Sequence, residues 1–459
     1  MPESSIEETT RHAHRKTKGK LEKFLGKFTK HTDINVGIDN EKLDRIFGKG
    51  NCKQIGEDIV HKLEHHLETF EIIDYHIAIY ARKDFTKTGD ALDEGQSIVR
   101  APRPAELWQH SYVTLSLLSS ILFAKYVNAV PLYRQEQAFA GSGIEISREN
   151  MANWIIKVSD LYLHKYYDVM HEKLQEQKYI HADETPVQVN KEKEPGNKKQ
   201  YMWVYRTEPL MDGPQIVLYD YRPGRRAEYC GDFLSSFSGT ITTDGYEAYH
   251  KLARENASRF KVAGCWVYAK RKFMDAVKAD KDGKSPPVLA KMAAARISKI
   301  FHENNKLGDL PAEERLRKRQ SDIKPLVDEF FSWVKSVRES VLPHSSTGEA
   351  FTYALNQEPF LRVFLSDPYV TMENSAAERA IRPFTIGRKN WVMIDTPNGA
   401  EASAVVYSIV ETAKANNLNI YKYLDYLLTE LPKYIHDLET KIPEKLFPWS
   451  PDFPAELRK

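Results

Sequence analysis

Three acidic residues, Asp183, Asp244 and Glu378, stand in local settings suited to phosphodiester chemistry run on divalent metal ions. Asp183 lies in YIHADETPVQV, Asp244 in GTITTDGY and Glu378 in NSAAERAIRPF. Breaking or transferring a phosphodiester needs an activated water or 3′-hydroxyl and a stabilised leaving oxygen, and two divalent ions about 3.5–4 Å apart supply both. Hard cations such as Mg²⁺ take oxygen ligands, which Asp and Glu provide. Carboxylates crowded together repel one another unless a cation joins them, so the trio itself asks for metal. Each acid also has an ordinary alternative. Asp183 suits a solvent-facing strand position, with Glu184 as a competing ligand that strand parity alone does not eliminate. Asp244 suits the start of a turn. Ser375-x-x-Glu378 spells a capping box, in which Glu378 would be structural.

Basic residues flank the acids. Lys270, Arg271 and Lys272 follow Asp244, while Arg379, Arg382, Arg388, Lys389 and Trp391 follow Glu378. Such residues hold phosphates, and Trp391 would either stack on a base or pack against a sheet. Solvated, salt-bridged helix faces are the plainer alternative. The sparse compensating acid in these runs favours phosphate contact.

Rigid elements must bring the acids together. Asp183 and Asp244 sit in strand-like runs and Glu378 in a short helix. The runs KYIHADETPVQV, QYMWVYRTE and PQIVLYDYR are followed by a helix, the strand GTITTD, a second helix and the strand KVAGCWVYA. Tyr201, Trp203 and Tyr205 alternate with Met202 and Val204, the period-2 signature of a strand. Three strands, then helix, strand, helix, strand is the ribonuclease-H-like order, a mixed sheet with helices on its faces. The expected fold class is thus an α/β catalytic core with a mainly helical N-terminal region. The 134 positions between Asp244 and Glu378 exceed a bare core. The charged, helical sequence there predicts an all-α insertion.

The expected divisions are a basic arm (1–40), a small region of mixed short helical and strand-like pieces (41–103) and a helical DNA-binding region (104–177). A first part of the core (178–278), the helical insertion (279–365), a last part of the core (366–431) and a Pro-rich tail (432–459) complete the chain. Within 132–158, a helix, a GSG turn and a helix capped by Ser147 predict a helix-turn-helix. It would turn Arg148, Asn150 and Asn153 to a DNA groove; an ordinary helical hairpin is the alternative.

Composition narrows the classes. At 459 residues the chain exceeds one compact core. Its net charge of +2 announces no nucleic-acid partner, so any basic surface comes from local segregation. Cys52, Cys230 and Cys265 form no CxxC pair, which fits a reducing cytoplasm and excludes a disulfide framework. The opening residues lack the apolar core of a signal peptide. The most apolar stretch, Tyr112 to Pro131, carries Lys125, Asn128 and several serines, and suits a buried helix better than a membrane span.

At this point the motifs are familiar. HADETPVQV, TTDGYEAY, GCWVYAKRKF and NSAAERAIRPFTIGRKNW resemble the insertion-sequence 66-type transposases of bacteria, as do PLYRQEQAFAGSGIEISRENMANWI and ETAKANNLNIYKYLDYLLTELP. The likeness runs from about residue 50 to 450. It implies a DDE core of ribonuclease-H-like fold with Asp183, Asp244 and Glu378 as catalytic and metal-binding acids, and so selects Asp183 over Glu184. It also implies two Mg²⁺ ions, replaceable by Mn²⁺, and cleavage of transposon ends followed by joining to target DNA. Two departures stand out. The family's Cys-rich, zinc-finger-like segment is missing its cysteines, so no zinc is expected. Tyr268 stands where the family carries a histidine.

The expected partners are double-stranded DNA, a second copy or more of the chain on that DNA, and helper proteins of the same element. The expected location is the bacterial cytoplasm at the nucleoid. Two rivals remain: an inactive, transposon-derived DNA-binding protein, and a nuclease with the same core that does not join strands.

Overall fold

The computed structural model describes residues 49, 76, 79–81, 98–100, 107–108, 113–192, 199–209, 211, 213–279, 288–434 and 442–459. The chain divides into two compact units, Met1–His76 and Ile77–Lys459. The basic arm and Cys52 lie outside the described residues. Two short strands, β1 (Ile79–Ala81) and β2 (Ile98–Arg100), pair antiparallel at the start of the second unit.

A helical region follows. Helices α1 (Leu115–Tyr126), α2 (Leu132–Gly141), α3 (Arg148–Val158) and α4 (His164–Gln175) form it, α3 and α4 being joined by one wider turn. Ser147 caps α3 by accepting from the Asn150 backbone N–H. Gly143 takes φ of +79° in the GSG turn, a conformation glycine adopts without strain. Met151, Ile155 and Val158 are buried while Arg148, Asn150 and Asn153 are exposed. No helix among the described residues is long and apolar enough to cross a membrane.

Next comes a mixed five-stranded sheet of β3 (Tyr179–Val187), β4 (Gln200–Thr207), β5 (Val217–Arg222), β6 (Gly239–Thr243) and β7 (Phe260–Gly264). Its order is β5-β4-β3-β6-β7, with β3, β4 and β5 antiparallel in turn and β6 and β7 parallel to β3. Helices α5 (Ala227–Phe233) and α6 (Glu247–Glu255) lead into and out of β6. The alternation in β4 predicts one wet face, but Met202, Trp203, Val204 and Tyr205 are all fully buried. Helices on both faces explain this. Trp203 meets Tyr249 of α6 edge-on and Tyr205 stacks on Phe233 of α5. On the other face lie α12 (Ser375–Trp391) and α13 (Pro397–Ala415).

Strand β5 is a sheet edge, and its unpaired backbone would invite aggregation. Here α13 covers it: Tyr219 N donates to Ser408 Oγ at 2.7 Å and Val217 N to Thr412 Oγ1 at 2.9 Å. After β7, helices α7 (Trp266–Ala279), α8 (Val288–Asn305), α9 (Ala312–Lys318), α10 (Lys324–Val337) and α11 (Ser346–Leu361) follow. Trp266, Phe273, Ile297, Phe330, Phe331 and Phe351 form a second hydrophobic cluster among them. Helix α14 (Ile420–Glu430) and residues 442–459 close the main core, with Phe447 stacked on Tyr166 at 4.4 Å between ring centres.

The helix bearing Glu378 is not short: α12 has 17 residues and contains IGRKNW. Pro383 lies inside it without ending it.

Candidate active site

Strands β3 and β6 bring the two aspartates side by side. Tyr179 pairs with Thr240, Ile180 with Ile241 and His181 with Thr242, a constant offset of 61. The same offset separates Asp183 from Asp244, which follows the last residue of β6 and lies two positions past the final pair. Neighbouring strands lie about 4.8 Å apart. Parity then sorts the acids. Asp183 opposes Val204, which opposes Tyr219, so all three share the sheet face covered by α12 and α13. Glu184 opposes Trp203 and shares the face covered by α6.

Glu184 is engaged there. Its side chain is 1% exposed. It accepts from Arg225 Nε at 2.7 Å and from Tyr249 Oη at 2.8 Å. Asp183 has no cationic partner among the described residues. Its Oδ1 accepts from the Glu184 N–H at 2.9 Å. Burial first, then the charges of Glu184, Asp244 and Glu378, push the Asp183 carboxyl up to about 8. That shift registers carboxylates crowded into a partly dry place, the condition a divalent cation relieves.

Asp244 sits in a tight turn. Its Oδ1 accepts from Tyr246 N at 3.0 Å, and its carbonyl accepts from Tyr353 Oη of α11 at 2.8 Å. Gly245 next to it has φ of +92°, and a Cβ there would lie 2.8 Å from Tyr353 Oη. Gly245→Ala is therefore expected to shift Asp244 and to cost about 1–3 kcal/mol in backbone strain. Misplacing a reacting group by about 1 Å costs on the order of 10²-fold in rate. Thermal melts and turnover rates of the variant check both effects; wild-type turnover would show that the turn does not set the carboxylate.

Glu378 lies in the first turn of α12, and its N–H donates to Asn374 O at 3.1 Å. Asn374, not Ser375, is the N-terminal cap, so the capping box does not form. The Glu378 carboxylate pairs instead with Arg271 of α7 at 3.1 Å. Among the described residues, no three His, Cys, Asp or Glu side chains stand close enough to hold a metal ion as they are. The donors suit a hard cation, since all are carboxylate oxygens. Asp244 already lies near enough for its charge to act on Asp183, and Glu378 would complete the set on leaving Arg271.

The basic residues divide by role. Arg379, Arg382 and Lys389 are exposed, and Lys270 is half-buried. Lys272 lies over the rings of Tyr268 and Tyr353. Arg388 is spent on β3, donating to Thr185 Oγ1 at 2.8 Å and to the Pro186 carbonyl. Trp391 packs edge-on against Phe384 of its own helix at 5.4 Å between ring centres.

Sequence reasoning passed over Arg225, Tyr353 and the buried group of His181, Glu208 and Asn374. His181 had a visible signal, two positions before Asp183 in HADET, and Asn374 opens the NSAAER motif; Arg225 and Tyr353 lie 41 and 109 positions from the acids they touch.

The profile of the transposase IS66 family matches residues 110–402, and that of the IS66 C-terminal element matches residues 408–449. Uncharacterized protein y4qI of Sinorhizobium fredii is 30% identical over 363 residues, 77% of this chain and 65% of that protein. Uncharacterized protein y4hP of the same organism is 27% identical over 398 residues, 84% of this chain and 69% of its own length. Uncharacterized protein y4jD, also from S. fredii, is 28% identical over 359 residues, 75% and 68% of the two chains. The chain thus spans 65% of the length of the first of these relatives. With one profile running across the strands and helices that carry all three acids, and the second across the closing helices, the chain belongs to the IS66 family of transposases.

Proposed function

We propose that the chain is a DNA transposase that cleaves transposon ends and transfers the resulting 3′-hydroxyl to target DNA, with Asp183, Asp244 and Glu378 as its catalytic acids. The observation that carries this reading is the convergence of the acids: β3 and β6 are parallel neighbours, Asp244 follows the end of β6, and the charges of Asp244 and Glu378 both act on the Asp183 carboxyl. The order β5-β4-β3-β6-β7, antiparallel then parallel, supports a ribonuclease-H-like core.

Two Mg²⁺ ions held there, or Mn²⁺ in their place, would activate the attacking oxygen and stabilise the leaving one. Asp183 supplies a ligand from strand β3 and Asp244 one from the turn that follows β6. Glu378 supplies the third once Arg271 exchanges its carboxylate for a DNA phosphate. Arginine suits that exchange, because its planar fork binds either anion. Lys270, Lys272, Arg379, Arg382 and Lys389 hold the backbone beside the acids. Arg388 acts indirectly by fixing β3. Arg148, Asn150 and Asn153 line the exposed face of α3 and read the element end. Pairing two ends calls for a dimer or higher assembly on DNA, in the bacterial cytoplasm at the nucleoid, with helper proteins of the same element.

The test uses labelled element-end DNA, a target plasmid and Mg²⁺. Joined products are expected. Nicks without joining would make the chain a nuclease, and a mobility shift without nicks would make it a DNA-binding protein only.

A further inference from the structure

A buried polar chain lies directly beneath the site. His181 is 1%, Glu208 3% and Asn374 1% exposed. His181 Nε2 meets Glu208 Oε2 at 2.7 Å, and His181 Nδ1 meets Asn374 Oδ1 at 3.1 Å. Asn374 Nδ2 donates to the Ala182 carbonyl at 2.7 Å. Because that amide nitrogen faces a carbonyl, Oδ1 must accept, so His181 Nδ1 carries a proton. The Asn374 backbone is tied as well: its N–H donates to Cys265 Sγ at 3.3 Å and its carbonyl accepts from the Glu378 N–H at 3.1 Å.

Burying a histidine, a glutamate and an asparagine together is costly unless every group is satisfied, and apolar side chains of similar volume would stabilise a core at least as well. What the chain gains is geometry. One residue, Asn374, grips the strand one position before Asp183 and the first turn of the helix bearing Glu378. Its link to Cys265 also ties it to the end of β7, where α7 and Arg271 begin.

We propose that Asn374, oriented by His181 and Glu208, is the positioning residue that sets the Glu378 helix against Asp183. This rests on the reading of those acids as metal ligands given above. Asn374 touches neither DNA nor metal; it acts by holding two ligand-bearing elements in one register. Partners of this kind behind metal ligands are worth about 10–100-fold in metal affinity or activity.

The test uses the full chain, with Mn²⁺ as the probe, and measures Mn²⁺ affinity, affinity for element-end DNA, kcat, KM and Tm. Asn374→Asp keeps shape and acceptor but loses the donor to Ala182; Asn374→Ala loses both. Each is expected to weaken Mn²⁺ binding about 10–100-fold and to lower kcat similarly, leaving KM and DNA affinity within about twofold. Glu208→Gln, which retains an acceptor for His181, is expected to keep Mn²⁺ affinity within about threefold of wild type. Folded Asn374 variants with wild-type Mn²⁺ affinity would overturn the proposal alone. So would unfolding of both, which would make the network a stability element. If the wild type binds no Mn²⁺ that Asp183→Asn loses, the ligand assignment fails and takes this proposal with it.

Discussion

Asp183→Asn is expected to abolish cleavage and joining, by about 10³-fold or more, while affinity for element-end DNA stays within about twofold. The amide keeps the shape of the side chain but cannot supply a charged oxygen to a cation. The same outcome is expected of Asp244→Asn and Glu378→Gln. Asp183 carries a second, opposite expectation. In the metal-free protein its carboxyl is partly buried beside Glu184, Asp244 and Glu378 and pushed up to about 8. Folding therefore works against its ionisation at neutral pH, and an uncharged amide relieves that cost. Asp183→Asn should raise the melting temperature in EDTA and remove the further rise that Mg²⁺ gives the wild type. A variant that melts lower than wild type in EDTA, or that still transfers strands, would remove Asp183 from the site.

Glu184→Ala is expected to fail in a different way. The Glu184 side chain is 1% exposed, and its carboxylate joins Arg225 to Tyr249. Removing it leaves a guanidinium and a hydroxyl without their acceptor. Breaking a fully buried pair costs about 3–5 kcal/mol. Arg225 is 36% exposed, so water recovers part of that; a loss of roughly 2–3 kcal/mol is expected. Arg225→Ala added to Glu184→Ala should cost less than the two alone, by about 0.5–3 kcal/mol, since the second change removes a group already stranded. Mn²⁺ affinity of the folded fraction should stay close to wild type. Denaturant melts and metal titrations of the four proteins check this. A Glu184→Ala protein that is stable but has lost Mn²⁺ binding would move the ligand role from Asp183 to Glu184.

The contrast between these neighbours marks the limit of sequence reading. HADET offers two carboxylates, and alternation along a strand says only that they face opposite ways. Which face holds the site depends on α12 crossing β3, nearly two hundred positions along the chain, a fact of packing and not of local pattern. The offset of 61 is different. It is present in the sequence as the spacing of Asp183 and Asp244, and it acquires meaning only when β3 and β6 pair with that same offset. Strand identities in 178–270 were legible because β-branched and aromatic runs are separated by turn residues. The double burial of β4 was not, since Trp203 and Tyr205 satisfy the pattern of a half-exposed strand equally well. Ser375-x-x-Glu378 misled in the same manner. A four-residue motif matched the capping box, but Asn374, fixed by Ala182 and Cys265, starts the helix one position earlier. Arg271 as the partner of Glu378 was invisible in principle, because an ion pair across 107 positions leaves no periodic trace.

The most direct measurement is an anomalous difference map from crystals of the full chain with element-end DNA and Mn²⁺. Two peaks about 3.5–4 Å apart are predicted, touching Asp183, Asp244 and Glu378, with Arg271 withdrawn from Glu378 onto a phosphate. Peaks elsewhere, or a Glu378 still bound to Arg271 while DNA occupies the site, would contradict the account.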